Sequence, residues 1–191
     1  GLLLVLIMRF RPEGLVASLG RPGGNVTGLS LNASAAIYGK RLELLKEIVP
    51  NLRRVAVLRV RAEISAELIA DFEQSAKLQG VALSFVDIRG RDELDRGLNA
   101  ILALRPDAMF LAGTSLITAN RQAICDFALE HRLPSSYGIK ELPQAGCLVS
   151  YGVDNAALYQ RAAAYVDKIL KGARPAELPV EMNSFKSQQF R

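Results

Sequence analysis

Residues 54–60 (RVAVLRV), 81–88 (VALSFVDI) and 107–113 (DAMFLAG) are short β-rich runs, and each is followed at once by a helical pattern. Two more runs, 134–138 (PSSYG) and 147–151 (CLVSY), complete the series. Between the first two, Leu68, Ile69, Phe72, Ala76 and Leu78 recur at helical spacing. Strands alternating with helices of this length read as βαβ units. The expected fold class is therefore α/β, a doubly wound parallel sheet with both faces covered. In such sheets a ligand collects outside the carboxyl ends of the strands.

Outward from this series, residues 38–49 form an amphipathic pattern, with Leu42, Leu45, Ile48 and Val49 on one side and Lys40, Glu43, Lys46 and Glu47 on the other. Residues 21–28 (RPGGNVTG) read as a loop or crossover. Residues 155–171 read as a long helix with Leu158, Ala162, Tyr165, Val166 and Ile169 as its apolar stripe, closed by Gly172. Beyond it the chain is Pro-rich and then polar, which predicts a strand at 178–182 and a frayed end. The opening run, residues 1–8 (GLLLVLIM), is too short to span a membrane and has no basic segment before it, so it reads as a buried parallel strand.

At 191 residues, half of them hydrophobic, the chain can bury a substantial core. Its net charge of +5 comes from scattered arginines, among them Arg53, Arg54, Arg59, Arg61, Arg89, Arg91 and Arg96. Aromatics make up 6% of the chain and tryptophan is absent, which argues against a nucleic-acid partner. Cys125 and Cys147 have neither metal-ligand nor CxxC spacing. They read as small buried hydrophobes, with a disulfide between them left open until geometry is known.

Catalytic signals are poor. His131, the single histidine, sits near a helix end, and no nucleophile elbow, Walker loop or HExxH motif occurs. The residues just past each strand carry more information. They are Arg9, Phe10 and Arg11 after the first, Arg61 and Glu63 after 54–60, and Thr114 and Ser115 after 107–113. Tyr137 and Tyr151 end the last two. Guanidiniums, hydroxyls and rings without a nucleophile–base pair suit the orientation of a small polar or aromatic molecule. The expected ligand-binding set is Arg9, Phe10, Arg11, Arg61, Thr114, Ser115, Tyr137 and Tyr151, with no catalytic residue, cofactor or metal.

Four blocks of the chain resemble a known family: residues 14–28 (GLVASLGRPGGNVTG), 39–58 (GKRLELLKEIVPNLRRVAVL), 137–152 (YGIKELPQAGCLVSYG) and 161–181 (RAAAYVDKILKGARPAELPVE). They are similar to ABC-transporter substrate-binding proteins of the tryptophan/tyrosine-type solute-binding group. The resemblance implies a periplasmic-binding-protein fold of type I, two α/β lobes joined by crossover strands with the ligand clamped between them. On this reading residues 1–28 are a remnant of the first lobe and the crossover, 29–151 an essentially complete second lobe, and 152–191 the return to a partial first lobe and a C-terminal tail. An N-terminally truncated chain is thereby expected, and with it a homodimer that covers the apolar faces of residues 1–8 and 155–171. Where the family usually carries Asp-Pro after the first strand, this chain has Arg11-Pro12. Where it usually carries Asn-Pro after residues 54–60, this chain has Arg61-Ala62.

The implied function is that of the solute-binding component of an ABC importer. It would be non-enzymatic and periplasmic or otherwise extracytoplasmic, with a permease as partner and an amino-acid-like or aromatic-acid-like solute as ligand. A ligand-sensing domain of the same fold in a regulator or receptor is the alternative. A doubly wound enzyme comes last.

Overall fold

The computed structural model describes residues 27–30, 35–139, 145–152, 154–182 and 187–190. The chain divides into two compact units, Gly1–Ala33 with Val153–Phe185, and Ser34–Gly152 with Lys186–Arg191.

In the larger unit, α1 (Ala35–Ile48) precedes β2 (Arg54–Arg59), α2 (Ala66–Leu78), β3 (Ala82–Asp87), α3 (Leu94–Ala103) and β4 (Ala108–Leu111). Then come α4 (Ser115–Ala119), α5 (Arg121–Glu130), β5 (Ser135–Tyr137) and β6 (Val149–Gly152), and β8 (Ser187–Phe190) completes the unit. The sheet runs β3-β2-β4-β5-β6-β8, parallel except for the last pair. The five parallel strands fall within the runs read from the sequence, give or take a residue at the ends.

Alternation along the central strands explains why helices must cover both faces. Val55 and Val57 of β2, with Ala108 and Phe110 of β4, pack against Tyr38, Leu42 and Leu45 of α1 and Phe72 and Ala76 of α2. Ala56, Leu58, Met109 and Leu111 point the other way, into Leu94, Leu98 and Ile101 of α3 and Ile124, Cys125 and Ala128 of α5. These strand residues are 0–1% exposed, so neither face can be given to water. Local signals set the helix starts. The Ser65 hydroxyl accepts from the Leu68 N–H at 3.3 Å, and Gly80, at φ 71°, turns the chain from α2 into β3.

Two links fasten the ends of this layer. The Asp107 carboxylate accepts from the N–H groups of Arg53 and Arg54 at 2.9 and 2.8 Å, which holds the start of β2 beside the start of β4. Those two donors hold its carboxyl below the usual carboxylate range. Cys125 on α5 and Cys147 just before β6 form a disulfide, with Cα atoms 4.8 Å apart. The two buried sulfurs are thus a covalent tie rather than separate small hydrophobes.

The smaller unit pairs β1 (Leu29–Ser30) in parallel with β7 (Glu181–Met182). Against β1 lies α6 (Asn155–Leu170), through buried Leu158 and Tyr165. The Thr27 hydroxyl donates to the Leu178 carbonyl at 2.8 Å, and the Tyr165 hydroxyl to that of Pro179 at 2.8 Å. The strand expected at 178–182 is confined to its last two residues, which are the ones that pair with Leu29–Ser30, and a 3-10 turn at Pro175–Glu177 precedes the segment. The frayed end is also corrected: residues 187–190 add an antiparallel strand to β6, where an otherwise open sheet edge accepts it. The expected strand at 1–8 lies outside the described residues; of the two apolar faces on which the homodimer was expected, that of 155–171 already buries Leu158 and Tyr165 against Leu29 within the chain.

Two outcomes follow for stability. Replacing both cysteines (Cys125→Ser with Cys147→Ser) frees a loop of 22 residues and should cost about 3 kcal/mol in urea unfolding. Reductant should reproduce that loss in the parent chain and leave the variant unchanged. Asp107→Ala should cost about 1–2 kcal/mol at neutral pH. Because the folded carboxyl titrates below its unfolded value, this contribution is complete above about pH 4 and is lost as pH falls through the lowered folded pKa. Unfolding curves of the two chains should therefore converge in acid.

Candidate functional site

From β2 the chain passes through α2 to β3 on one side, then returns through α3 to β4 on the other. The order therefore reverses between β2 and β4, and a crevice opens outside their carboxyl ends. From β2 the chain enters a 3-10 turn, Arg61–Glu63. From β4 it runs through Gly113 to Thr114 and the start of α4. A carboxylate oxygen of Glu63 accepts the Ser115 N–H at 3.0 Å, so the two loops are joined across the switch point. The Tyr38 hydroxyl accepts the Gly113 N–H at 3.3 Å from beneath.

Around this crevice the predicted residues divide. Arg61 is exposed, with one guanidinium nitrogen 3.9 Å from the Asp87 carboxylate. That carboxylate is mainly engaged by Arg59, whose Nε lies 2.6 Å away and whose guanidinium covers the Phe85 ring at 4.2 Å. Arg61 is therefore the looser member of the cluster and is free to turn toward a ligand. Ser115 presents an exposed side chain at the first position of α4.

Thr114 is buried at 4% exposure, and its hydroxyl caps α4 by accepting from the Ile117 N–H at 3.4 Å. Tyr137 is 1% exposed, and its hydroxyl meets that of Thr118 at 2.7 Å and donates to the Thr114 carbonyl at 3.4 Å. Burial pushes this phenol up from its ordinary pKa. A ring held inside the core cannot stack on a solute, so Tyr137 supports the Thr114 turn from below. Its strand-end position read as ligand-facing because the sequence does not show that the ring packs into the core with Ile117 of α4 and Ile124, Cys125 and Ala128 of α5. Tyr151 is half-buried on β6, two strands from β4. Arg9, Phe10 and Arg11 lie outside the described residues.

One residue at this end of the sheet was missed. Arg41 on α1 is 1% exposed, and its Nη2 donates to the carbonyls of Leu111 at 2.8 Å and Ser136 at 2.7 Å, near the ends of β4 and β5. Its guanidinium lies 3.8 Å from the Phe110 ring centre, with Tyr38 and Tyr137 farther off. Among the described residues no carboxylate pairs with it, and Nε has no hydrogen-bond partner. Desolvation lowers its pKa to about 10, so it stays charged at neutral pH. A signal existed in the helical spacing, since Tyr38, Arg41, Leu42 and Leu45 fall on one face. Arginine is so seldom buried unpaired that a local reading assigns it to solvent.

Elsewhere, a groove of about 420 Å³ at the amino end of β5 is lined by Leu129, Arg132, Leu133 and Pro134. It is mainly apolar, and the Ser135 hydroxyl beside it already accepts the Leu148 N–H. It lacks the convergent polar groups that orient a ligand. His131 ends α5 at this same amino end, its ring against Phe127, on the far side of the sheet from the crevice.

A family model described as ABC transporter substrate binding protein matches residues 12–190. A curated tyrosine-binding protein of Clostridioides difficile (strain R20291) is 25% identical over 168 residues, which cover 87% of this chain and 48% of that protein. Two solved structures share the fold. A Streptococcus pneumonia ABC domain in complex with L-Trp superposes with a TM-score of 0.73 at 22% identity, over 91% of this chain and 59% of that one. A conserved domain protein from Vibrio cholerae gives 0.75 at 23% identity, over 92% and 58%. The chain thus spans about half the length of the curated relative it matches.

Removing the Tyr137 hydroxyl tests the supporting role just described. Tyr137→Phe should lose about 1–2 kcal/mol of stability in urea unfolding, since the hydroxyl's contacts with Thr118 and the Thr114 carbonyl both go, with the fold otherwise intact by circular dichroism.

Proposed function

Because the chain belongs to the ABC transporter substrate-binding protein family, we propose that its larger unit carries a ligand-binding surface for a small amino-acid-like or aromatic-acid-like solute, in the service of an importer. The observation that carries this reading is the polar cluster at the switch point. Arg61, Glu63 and Ser115 stand exposed there, linked by the Glu63–Ser115 hydrogen bond, while the single histidine lies at the opposite end of the sheet. Groups that can pair with a carboxylate and donate hydrogen bonds converge there without a base–nucleophile pair, which supports binding over catalysis.

Arg61 pairs with the solute's acid group, and Ser115 orients it. Aromatic contact comes from residues other than the enclosed Tyr137. A permease then reads the loaded protein, and the solute can shift a conformational equilibrium only by preferring one form over the other. The tyrosine-binding relative and the structure solved with L-Trp favour an aromatic amino acid as the solute. The protein acts outside the cytoplasm, a reading favoured by the Cys125–Cys147 disulfide, since such bonds persist in oxidising compartments. Among the described residues no helix is long and apolar enough to cross a membrane.

Isothermal titration of the full chain with L-tryptophan, L-tyrosine and small aromatic acids should give measurable binding, about tenfold weaker in Arg61→Ala, equivalent to about 1.4 kcal/mol. Tight binding unchanged by Arg61→Ala would place the ligand elsewhere. No heat with any member of the panel would exclude this solute class.

A further inference from the structure

We propose that Arg41 sets the charge specificity of this site: its buried guanidinium at the carboxyl ends of β4 and β5, without a carboxylate partner among the described residues, selects solutes carrying an anionic group over neutral ones of the same shape. The inference rests on the ligand-binding reading above and deepens it.

An ion taken out of water is strongly disfavoured unless an opposite charge accompanies it. Arg41 is 1% exposed and has only carbonyl oxygens and aromatic ring faces around it among the described residues. The other charges at this end of the sheet are arranged differently. Arg59 is neutralised by Asp87 at 2.6 Å, and Arg61 is exposed and lies 3.9 Å from the same carboxylate. Glu63, the carboxylate at the switch point, accepts the Ser115 N–H, and among the described residues no carboxylate pairs with Arg41.

Its location gives that charge a use. Leu111 is the last residue of β4 and Ser136 precedes the last residue of β5, so both carbonyls that hold Nη2 belong to strands running into the proposed binding surface. The Gly138 backbone passes close by, so near that a side-chain carbon added there would lie 3.8 Å from Nη1. Gly138 itself is only partly buried. Across low-dielectric protein a unit charge acts far more strongly than it would across water.

An anion arriving with the solute supplies the missing counter-charge without touching Arg41. Because α1 anchors Arg41 from one face and the two carbonyls fix its fork, the charge is already in place before the ligand arrives. Arg41 is thus a positioning and specificity-determining residue that acts through the field, while Arg61 makes the contact.

The test compares indole-3-propionate with indole-3-propionamide, which differ in charge but hardly in shape, by calorimetry on the full chain and on Arg41→Gln and Arg41→Lys. The parent chain should prefer the acid at pH 7, and Arg41→Gln should lower that preference by about tenfold while keeping the part that the Arg61 contact supplies. Arg41→Lys should keep Arg41's share of the preference wherever its amine is charged and lose that share as pH rises through the lysine's pKa, which burial lowers, in a series from about pH 5 to 10. A purely structural arginine would weaken both ligands together and leave their ratio unchanged, which would overturn the proposal. If Arg41→Gln does not fold, the Arg41→Lys series decides alone, and a ratio that stays flat with pH overturns it.

Thermal melts in sodium acetate, against sodium chloride at equal ionic strength, separate this inference from the reading beneath it. Acetate should raise the parent's melting temperature by about 3 °C, with a clearly smaller rise in Arg41→Gln and, at pH 10, in Arg41→Lys. That result with neither indole compound bound would keep Arg41 as the anion selector and remove the aromatic solute. Binding of both compounds with an unaltered ratio would keep the site and remove Arg41. No binding and no acetate effect would remove both.

Discussion

A central parallel strand has to bury both faces, and the larger unit is organised by meeting that demand at residues 55–58 and 108–111. Alternate side chains of β2 and β4 feed two separate cores, one under α1 and α2, the other under α3 and α5. Either helix layer alone would leave every second residue of these strands in water. At about 25 cal/mol per Å² of apolar surface, such exposure is prohibitive. The two-sided cover then forces crossover connections, and the crossovers place every strand-to-helix loop at the same end of the sheet. The position of the candidate site is a consequence of that arrangement.

The two ends of the sheet solve opposite problems. At the amino end, Asp107 gathers the first N–H groups of β2, and a disulfide joins α5 to the approach to β6. These are fastenings, fully satisfied within the protein. At the carboxyl end the polar groups are only partly satisfied. The Arg61 pairing is loose, the Ser115 side chain is exposed, and the Arg41 charge has no partner among the described residues. Satisfied groups stabilise a fold, whereas unsatisfied ones at a crevice are available to a ligand. The contrast between the two ends supports a binding function more strongly than any single residue does.

The family match and the site chemistry bear on different questions. Membership fixes the scaffold across residues 12–190, and the structures that superpose at 22–23% identity speak to the fold alone. What a protein on this scaffold binds depends on side chains at the strand ends, and here the chain has its own wording. Arg61-Ala62 follows β2, so a guanidinium stands at the switch point. The resemblance does not by itself specify a residue of that charge there.

The sequence by itself determined the α/β alternation, since short continuous apolar runs such as RVAVLRV and the helical spacing of Leu68, Phe72 and Ala76 are local properties. It also determined the end of the sheet where polar residues gather, because strand polarity and chain direction fix which loops fall together. Arg61 and Ser115 were legible for that reason. Tertiary structure alone decided the rest. Tyr137 and Thr114 follow or end strands, as Arg61 and Ser115 do, but the packing of α4 and α5 over that face of the sheet encloses the first, and the second spends its hydroxyl on a helix cap. Cys125 and Cys147 become partners because α5 packs beside the approach to β6, a proximity that 22 residues of sequence do not encode. Residues 187–190 look like a loose tail until β6 offers them an edge. Arg41 was hidden for an energetic reason: burial of a lone charge is locally unfavourable, and only the assembled ends of β4 and β5, with two carbonyls and a ring face in place, make the position tenable.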